Sequence, residues 1–302
     1  MSDRVLLTGV SGFLGGHVAL QLLQSGYTVR GSVRKLAKAD KVRETLARAG
    51  ADVSRLELVA LDLLSDDGWA EAMADVRYVQ HTASPFVLNT PTDPQELIRP
   101  AVEGTRRAIA AALAAKVERI VLTSSIAAIQ YGQSDTSRAF TEADWSNVDS
   151  PHIGAYAQSK TLAERAAWEM MDAAGRDDDL AVINPAGIFG PLLDEDPGTS
   201  SMLVQRLLDG KLPAVPKLAM SMVDVRDVAA LQVDAMTNPA AGGQRCIASE
   251  GTYMMAEVGK MLVPAFPDRR VPTAELPNWV VRIVALFDRD VRDNMHEMGT
   301  VK

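Results

Sequence analysis

The sequence predicts an α/β chain built on a doubly wound parallel sheet, with a smaller C-terminal lobe. Three observations carry this. Apolar runs of strand length at 4–8, 27–33, 56–62, 76–82, 119–124 and 180–184 alternate with helical patterns near 13–25, 37–49, 66–74, 94–115 and 155–174. Parallel neighbours need crossovers of that length. The first run enters a turn with glycines at 9, 12 and 15 that opens directly into a helix. Beyond Asn184-Pro185 the alternation loosens, and Pro185, Pro191, Pro197, Pro213 and Pro216 punctuate the chain.

The opening strand, Val5-Leu6-Leu7-Thr8, leads into Gly9-Val10-Ser11-Gly12-Phe13-Leu14-Gly15-Gly16-His17, and Val18, Leu22 and Leu23 then recur at helical spacing. Small residues let a backbone approach an anion, and the free N–H groups of the helix start then face it. Glycine turns before helices are common, so the motif alone is weak. Later strands such as Arg119-Ile120-Val121-Leu122-Thr123 are apolar on both faces, as a sheet covered on both sides requires. Past Pro185 the patterns predict helices at 199–209 and 225–236, a strand at 244–248, and helices near 253–263 and 277–287. These patterns divide the chain into a nucleotide-binding domain of residues 1–185, to which 219–248 returns, and a substrate lobe of 186–218 and 249–302. The lobe is expected at the carboxyl edge of the sheet, where open α/β sheets bind ligands.

The chain has 302 residues, ample for a buried core, and a net charge of −8. No basic face dominates, which argues against a nucleic-acid partner. No apolar run reaches the roughly 18 residues of a membrane span. Asp3 and Arg4 precede the first strand without a leader pattern, so a soluble cytoplasmic protein is expected. The single cysteine, Cys246, fits a reducing compartment and reads as a structural thiol. Neither His152 nor His296 has partners at metal-ligand spacing, and no metal is expected.

Far downstream, Tyr156-Ala157-Gln158-Ser159-Lys160 places a phenol and an ammonium one helical turn apart on one face. A free phenol, with a pKa near 10, is a weak proton donor at neutral pH. A cation about 5 Å from a phenol, at an effective dielectric near 20, favours the phenolate by roughly 3 kcal/mol. That suits general acid–base work. An isolated pair of this kind is ordinarily an amphipathic tyrosine beside a surface lysine. Its context changes the reading: the glycine turn sits on the N-terminal strand, and Leu122-Thr123-Ser124-Ser125 ends another strand on the same rim.

Together these segments resemble the extended short-chain dehydrogenase/reductase family, and within it the dihydroflavonol, cinnamoyl and aldehyde (ketone) reductase-like branch. Thr8-Gly9-x-x-Gly12-Phe13-Leu14-Gly15-x-His17 matches the dinucleotide turn, and His81-Thr82-Ala83-Ser84-Pro85 a segment typical of the branch. Thr123-Ser124-Ser125 carries the family serine, and Tyr156 to Glu164 the catalytic helix. Asn184 to Pro191 and Val223 to Ala229 match later segments. The resemblance implies a Rossmann sheet and covers residues 4 to about 290. Members usually continue some tens of residues past the equivalent of Phe287-Asp288-Arg289-Asp290. A lobe truncated at the C-terminus, or lacking part of its wall, is therefore expected.

The resemblance implies roles. Tyr156 protonates a carbonyl oxygen, Lys160 assists that phenol and holds the nicotinamide ribose, and Ser125 donates a hydrogen bond to the same oxygen. Ser124 is the other candidate for the last task. Thr8, Gly9, Ser11, Gly12, Phe13, Leu14, Gly15, Asp62, Leu63, Thr82, Ala83, Ser84, Thr123, Pro185, Gly187 and Ile188 are implied cofactor neighbours, with Asp62-Leu63 as the adenine-contacting pair. The family's catalytic asparagine has no motif match. His81 is read as a packed strand residue.

Strand two ends without an acid, and Arg34 follows at once. An acid there would accept from a ribose 2′-hydroxyl and repel a 2′-phosphate, whereas a guanidinium pairs with that phosphate. Arg34, with Lys41 at the branch's second position for this contact, predicts NADP(H) over NAD(H). Candidate substrate contacts, besides Ser125, are Phe86, Ile126, Tyr131, Ile153, Met202 and Met222, with Trp145 also near the pocket. This largely apolar set suits a small aldehyde or ketone, or the corresponding alcohol in reverse. Alternatives are a hydroxysteroid or sugar-nucleotide dehydrogenase/epimerase on the same scaffold, or a non-catalytic NADP-sensing regulator. A monomer and a homodimer are both compatible with the sequence.

Overall fold

The computed structural model describes residues 3–84, 93–135, 137–195 and 198–284. In chain order the strands and helices of the first half are β1 (Arg4–Thr8), α1 (Phe13–Gln24), β2 (Thr28–Val33), α2 (Ala39–Arg48), β3 (Leu56–Ala60), α3 (Trp69–Ala72), β4 (Tyr78–His81), α4 (Gln95–Ala114), β5 (Arg119–Thr123), α5 (Ala155–Ala173) and β6 (Leu180–Pro185). Next come β7 (Gly187–Phe189), α6 (Gly198–Leu208), β8 (Ala219–Asp224), α7 (Val225–Asp234), β9 (Gln244–Ala248), β10 (Gly251–Met254), α8 (Met255–Leu262) and α9 (Asn278–Val284).

Seven strands form one sheet in the order β3-β2-β1-β4-β5-β6-β9, and every pairing in it is parallel. The order reverses between β1 and β4, which opens a crevice at their carboxyl ends. Alternate residues of each strand feed opposite cores. Val5, Leu7, Val121, Ala181 and Ile183 pack beneath α1, α2 and α7 through Val18, Leu22, Leu46 and Val228. Leu6, Val79, Ile120, Leu122, Leu180 and Val182 pack beneath α3, α4 and α5 through Trp69, Ile109, Ala112 and Met171. The period-2 geometry of a strand requires this, because successive side chains leave opposite faces.

The second half departs from the predicted pattern. β7, β8 and β10 form a three-stranded sheet of their own, with β8 antiparallel to β10 and parallel to β7. Ala219–Asp224 thus pairs within the small sheet, while Val223 at its end packs into the larger core beside α7. Residues 253 and 254, predicted as helix, complete β10 before α8 begins. Helix α6 lies between β7 and β8, and α7 with β9 between β8 and β10, but β7 has only three residues and the prolines and glycines of this stretch interrupt the regular alternation that exposed the large sheet. A separate core of Leu207, Val215, Met255, Ala256 and Val258 holds α6 and α8 together. No helix among the described residues is long and apolar enough to cross a membrane.

One buried guanidinium fixes the edge of the large sheet. Arg30 on β2 is 7 % exposed. It donates to Glu57 on β3 and to the carbonyls of Glu71, Ala72 and Ala74 at the end of α3. Helix ends leave such carbonyls without intrahelical donors. Arg30→Met should lower the unfolding free energy by about 2 kcal/mol, read as a lower urea midpoint with an unchanged fold by circular dichroism.

Candidate active site

The glycine turn is built by close backbone approach. Gly9 has φ +76°, and a side chain there would meet Ala83 Cα at 2.9 Å. A Cβ on Gly15 would lie 2.1 Å from the Gly9 carbonyl oxygen. The Gly12 amide donates to that same carbonyl at 2.9 Å. Gly12 is the N-cap of α1, with no side chain capping it and no acid in the first turn. The amides of Phe13, Leu14 and Gly15 therefore precede the first intrahelical bond and point out of the helix end, beside exposed Ser11. This cradle fits the diphosphate of a dinucleotide.

The rim beside the cradle is held by hydrogen bonds. Thr8 is 1 % exposed; its hydroxyl accepts from the Ala83 amide at 3.1 Å and lies 2.9 Å from His81 Nδ1. Thr82 donates its hydroxyl to the Thr8 carbonyl at 2.6 Å. The Thr8 side chain, predicted as a cofactor neighbour, is thus taken up in joining β1 to β4. Thr123 Oγ1 accepts from Gln232 Nε2 on α7 at 2.6 Å. Asp62 accepts from the Leu64 amide at 2.9 Å, and Leu63 packs so tightly on α4 that a Cβ on Gly104 would lie 2.9 Å from its own.

Tyr156 and Lys160 lie near the start of α5, and Lys160 Nζ is 5.9 Å from the centroid of the Tyr156 ring. The tyrosine is 42 % exposed, so its hydroxyl-bearing ring is open to a ligand. Lys160 shares a small cavity with His81, Ala83, Ser84, Thr123, Ser124 and Glu164. Helix α5 therefore brings the ammonium to the ends of β4 and β5, and Ala83 in turn abuts Gly9.

The two candidate serines are separated by their partners. Ser124 donates its hydroxyl to buried Glu164 at 2.5 Å. Ser125, in extended backbone, caps a short 3-10 turn by accepting from the Ala127 amide at 3.1 Å. Its own hydroxyl proton is left to donate elsewhere.

At the far end of the crevice Arg34 is exposed and, among the described residues, has no ion-pair partner. Lys41 pairs with Asp194 at 3.3 Å. The segment carrying Asp194 also touches α1, where His17 Nε2 lies 2.9 Å from the Pro191 carbonyl oxygen. These contacts join residues far apart in the chain, and nothing in the local pattern marks them. Pro185 ends β6 opposite Ala248, while Gly187 and Ile188 lie in β7 opposite Met222 and Val223.

The predicted substrate contacts fall in several places. Ile126 follows Ser125 and packs on the larger core, and Met222 on β8 packs on the lobe core. Tyr131 donates its amide to Ser146 Oγ, half-buried Ile153 precedes α5, and half-buried Met202 is on α6. Phe86 lies outside the described residues. The Trp145 ring is occupied by cations, with the Arg245 guanidinium 3.8 Å and that of Arg165 5.2 Å from its centroid. Cys246 is half-buried, and burial pushes its thiol up.

Comparison with known proteins adds relatives to this geometry. The model of the NAD dependent epimerase/dehydratase family matches residues 5–248. Cinnamoyl-CoA reductase 2 of Arabidopsis thaliana is 35 % identical over 272 residues, covering 89 % of this chain and 79 % of that protein. An NADPH-dependent methylglyoxal reductase of Saccharomyces cerevisiae is 33 % identical over 289 residues, covering 87 % and 82 %. The crystal structure of yeast methylglyoxal/isovaleraldehyde reductase complexed with NADPH superposes with a TM-score of 0.80 at 28 % identity, covering 98 % of each chain.

Burial, and then the nearby Lys160 charge, push the His81 imidazole down to about 4, so the ring is neutral in the folded protein. The unfolded chain takes up a proton from about pH 6.5 downward. Stability present above pH 6.5 is therefore lost as pH falls toward 4, by on the order of 3 kcal/mol. Burial also lowers His17, which acts in the same direction. Urea midpoints measured from pH 8 to 4 should fall over this window, and less steeply in His81→Asn. An equal slope in the two proteins would contradict the assignment.

Proposed function

The chain belongs to the NAD dependent epimerase/dehydratase family, and from that premise we propose that it is an NADPH-dependent reductase of small apolar or aromatic aldehydes and ketones. One observation carries the reading: Lys160 lies between the Tyr156 ring and the ends of β4 and β5, next to an uncapped glycine cradle. The reductase names of the relatives support it, as does the resemblance read from the motifs.

NADPH, when bound, supplies the hydride that reaches the carbonyl carbon. The protein's own groups manage the charge that this creates. Tyr156 donates its phenolic proton to the carbonyl oxygen, and the Lys160 ammonium stabilises the phenolate left behind. Lys160 also holds the nicotinamide ribose. Ser125 donates a hydrogen bond to the same oxygen as negative charge develops there, a contact worth most in the transition state. Ser124 is unsuited to this because its proton is already given to Glu164.

The cradle of Gly9, Gly12 and Gly15, with the amides of Phe13 and Leu14, holds the diphosphate. Ser11, Asp62, Leu63, Thr82, Ala83, Ser84, Thr123, Pro185, Gly187 and Ile188 border the cofactor. Arg34 and Lys41 select NADPH through its 2′-phosphate, and Lys41 exchanges Asp194 for that anion. Ile126, Tyr131, Ile153, Met202 and Met222 supply the apolar side of the substrate site.

Tyr156→Phe should lower kcat for aldehyde reduction by about 10²–10⁴-fold, while NADPH binding followed by fluorescence remains. Retained turnover would refute the proton-donor role. Arg34→Ala should raise KM for NADPH about 10–100-fold and leave KM for NADH nearly unchanged. A parallel loss for both coenzymes would count against 2′-phosphate recognition.

A further inference from the structure

One turn beyond Lys160, on the same face of α5, lies a carboxylate that the chemistry above does not use. The Glu164 side chain is fully buried and the Arg245 side chain that meets it is 8 % exposed. Glu164 Oε1 accepts from Arg245 Nε on β9 at 2.6 Å. Its Oε2 accepts from Ser124 Oγ at 2.5 Å and from Asn184 Nδ2 on β6 at 2.8 Å. The Asn184 amide also donates to the Ser125 carbonyl at 3.1 Å. Arg245 completes the arrangement from outside, donating to the carbonyls of Glu142 and Asp144. The next residues of that loop then bind the turn that Ser125 caps: the Ser146 hydroxyl donates to Ala127 O, and the Ser146 amide to Ala128 O.

Replacing a buried ion pair by apolar groups of similar volume is often neutral or stabilising. Stability is thus a weak explanation for two charges in this place. Their geometry offers another. Ser125 is gripped on both sides by one carboxylate, through the hydroxyl of Ser124 before it and through Asn184 on its own carbonyl. Glu164 and Lys160 also line one cavity at a spacing where opposite charges ordinarily pair. Arg245, Ser124 and Asn184 occupy both carboxylate oxygens, which leaves the ammonium to the phenol.

We propose that Glu164, neutralised by Arg245, is a positioning residue that sets the Ser125 hydroxyl for catalysis and keeps Lys160 available to Tyr156. This rests on the reductase reading above. Glu164→Gln keeps the volume, but its amide has to present a donor where only acceptors now serve. In NADPH-linked aldehyde reduction, kcat should fall about tenfold or more with KM for NADPH within about twofold. Glu164→Asp should recover part of the loss. Hydrogen exchange should quicken in the 124–128 segment while protection in β1 and β4 is kept.

An unchanged kcat, or unchanged exchange in 124–128, would overturn the proposal. If the wild-type protein reduces no carbonyl compound, the reductase reading fails, and the exchange measurement still decides whether Glu164 orders the serine segment. Should Glu164→Gln fail to fold, Glu164→Gln combined with Arg245→Met removes both charges. That double variant should fold and show the same loss of kcat; wild-type kcat in it would refute positioning.

Discussion

Parallel pairing is the constraint on which the candidate site depends. When neighbouring strands run in one direction, every carboxyl end falls on one rim, and the loops leaving them meet there. Thr8, His81, Thr123 and Pro185 end four such strands, so residues scattered over most of the chain become neighbours without any local sequence link. The reversal of order between β1 and β4 parts the loops above the sheet. Gly9 and Ala83 then face each other across backbone so close that neither a larger residue at 9 nor a Cβ at 15 has room.

The rim is polar yet largely buried, and its groups are used in pairs. The Thr8 hydroxyl accepts from the Ala83 amide and faces a neutral His81; Gln232 on α7 reaches Thr123; Glu164 gathers Ser124, Asn184 and Arg245. Buried polar groups left unmatched are costly, so each pairing also fixes the geometry of the backbone it ends on. Among the described residues, donors without a partner include the first amides of α1, the Ser125 hydroxyl and the Arg34 guanidinium, and Tyr156 is exposed. The pairing is incomplete: Asn184 Oδ1, Gln232 Oε1 and Arg245 Nη2 are buried without a partner, although each of these side chains is held by its other polar atoms.

Motif reading located the cradle, the Tyr156–Lys160 turn and the missing acid after β2, because each is a local pattern with a local cause. It did not see that Thr8 would spend its side chain on His81 and Ala83. It preferred Ser125 to Ser124 by resemblance alone, since adjacent hydroxyls look alike until their partners are known. Glu164 stood in the recognised segment with no role, because Asn184 and Arg245, which give it one, lie on strands that follow later. Asp194 reaches Lys41 from beyond β7 in the same way.

The order of the large-sheet elements followed from the sequence alone. Apolar strands alternating with amphipathic helices carry their periodicity in the chain itself, and so do turns that require glycine. The small sheet of β7, β8 and β10 came only from the folded molecule, since these segments are marked as strands by their partners rather than by their own pattern. The same holds for which hydroxyl is free, which cation is paired and which carboxylate is buried. Those are properties of neighbours brought together through space, and a linear pattern carries no record of them.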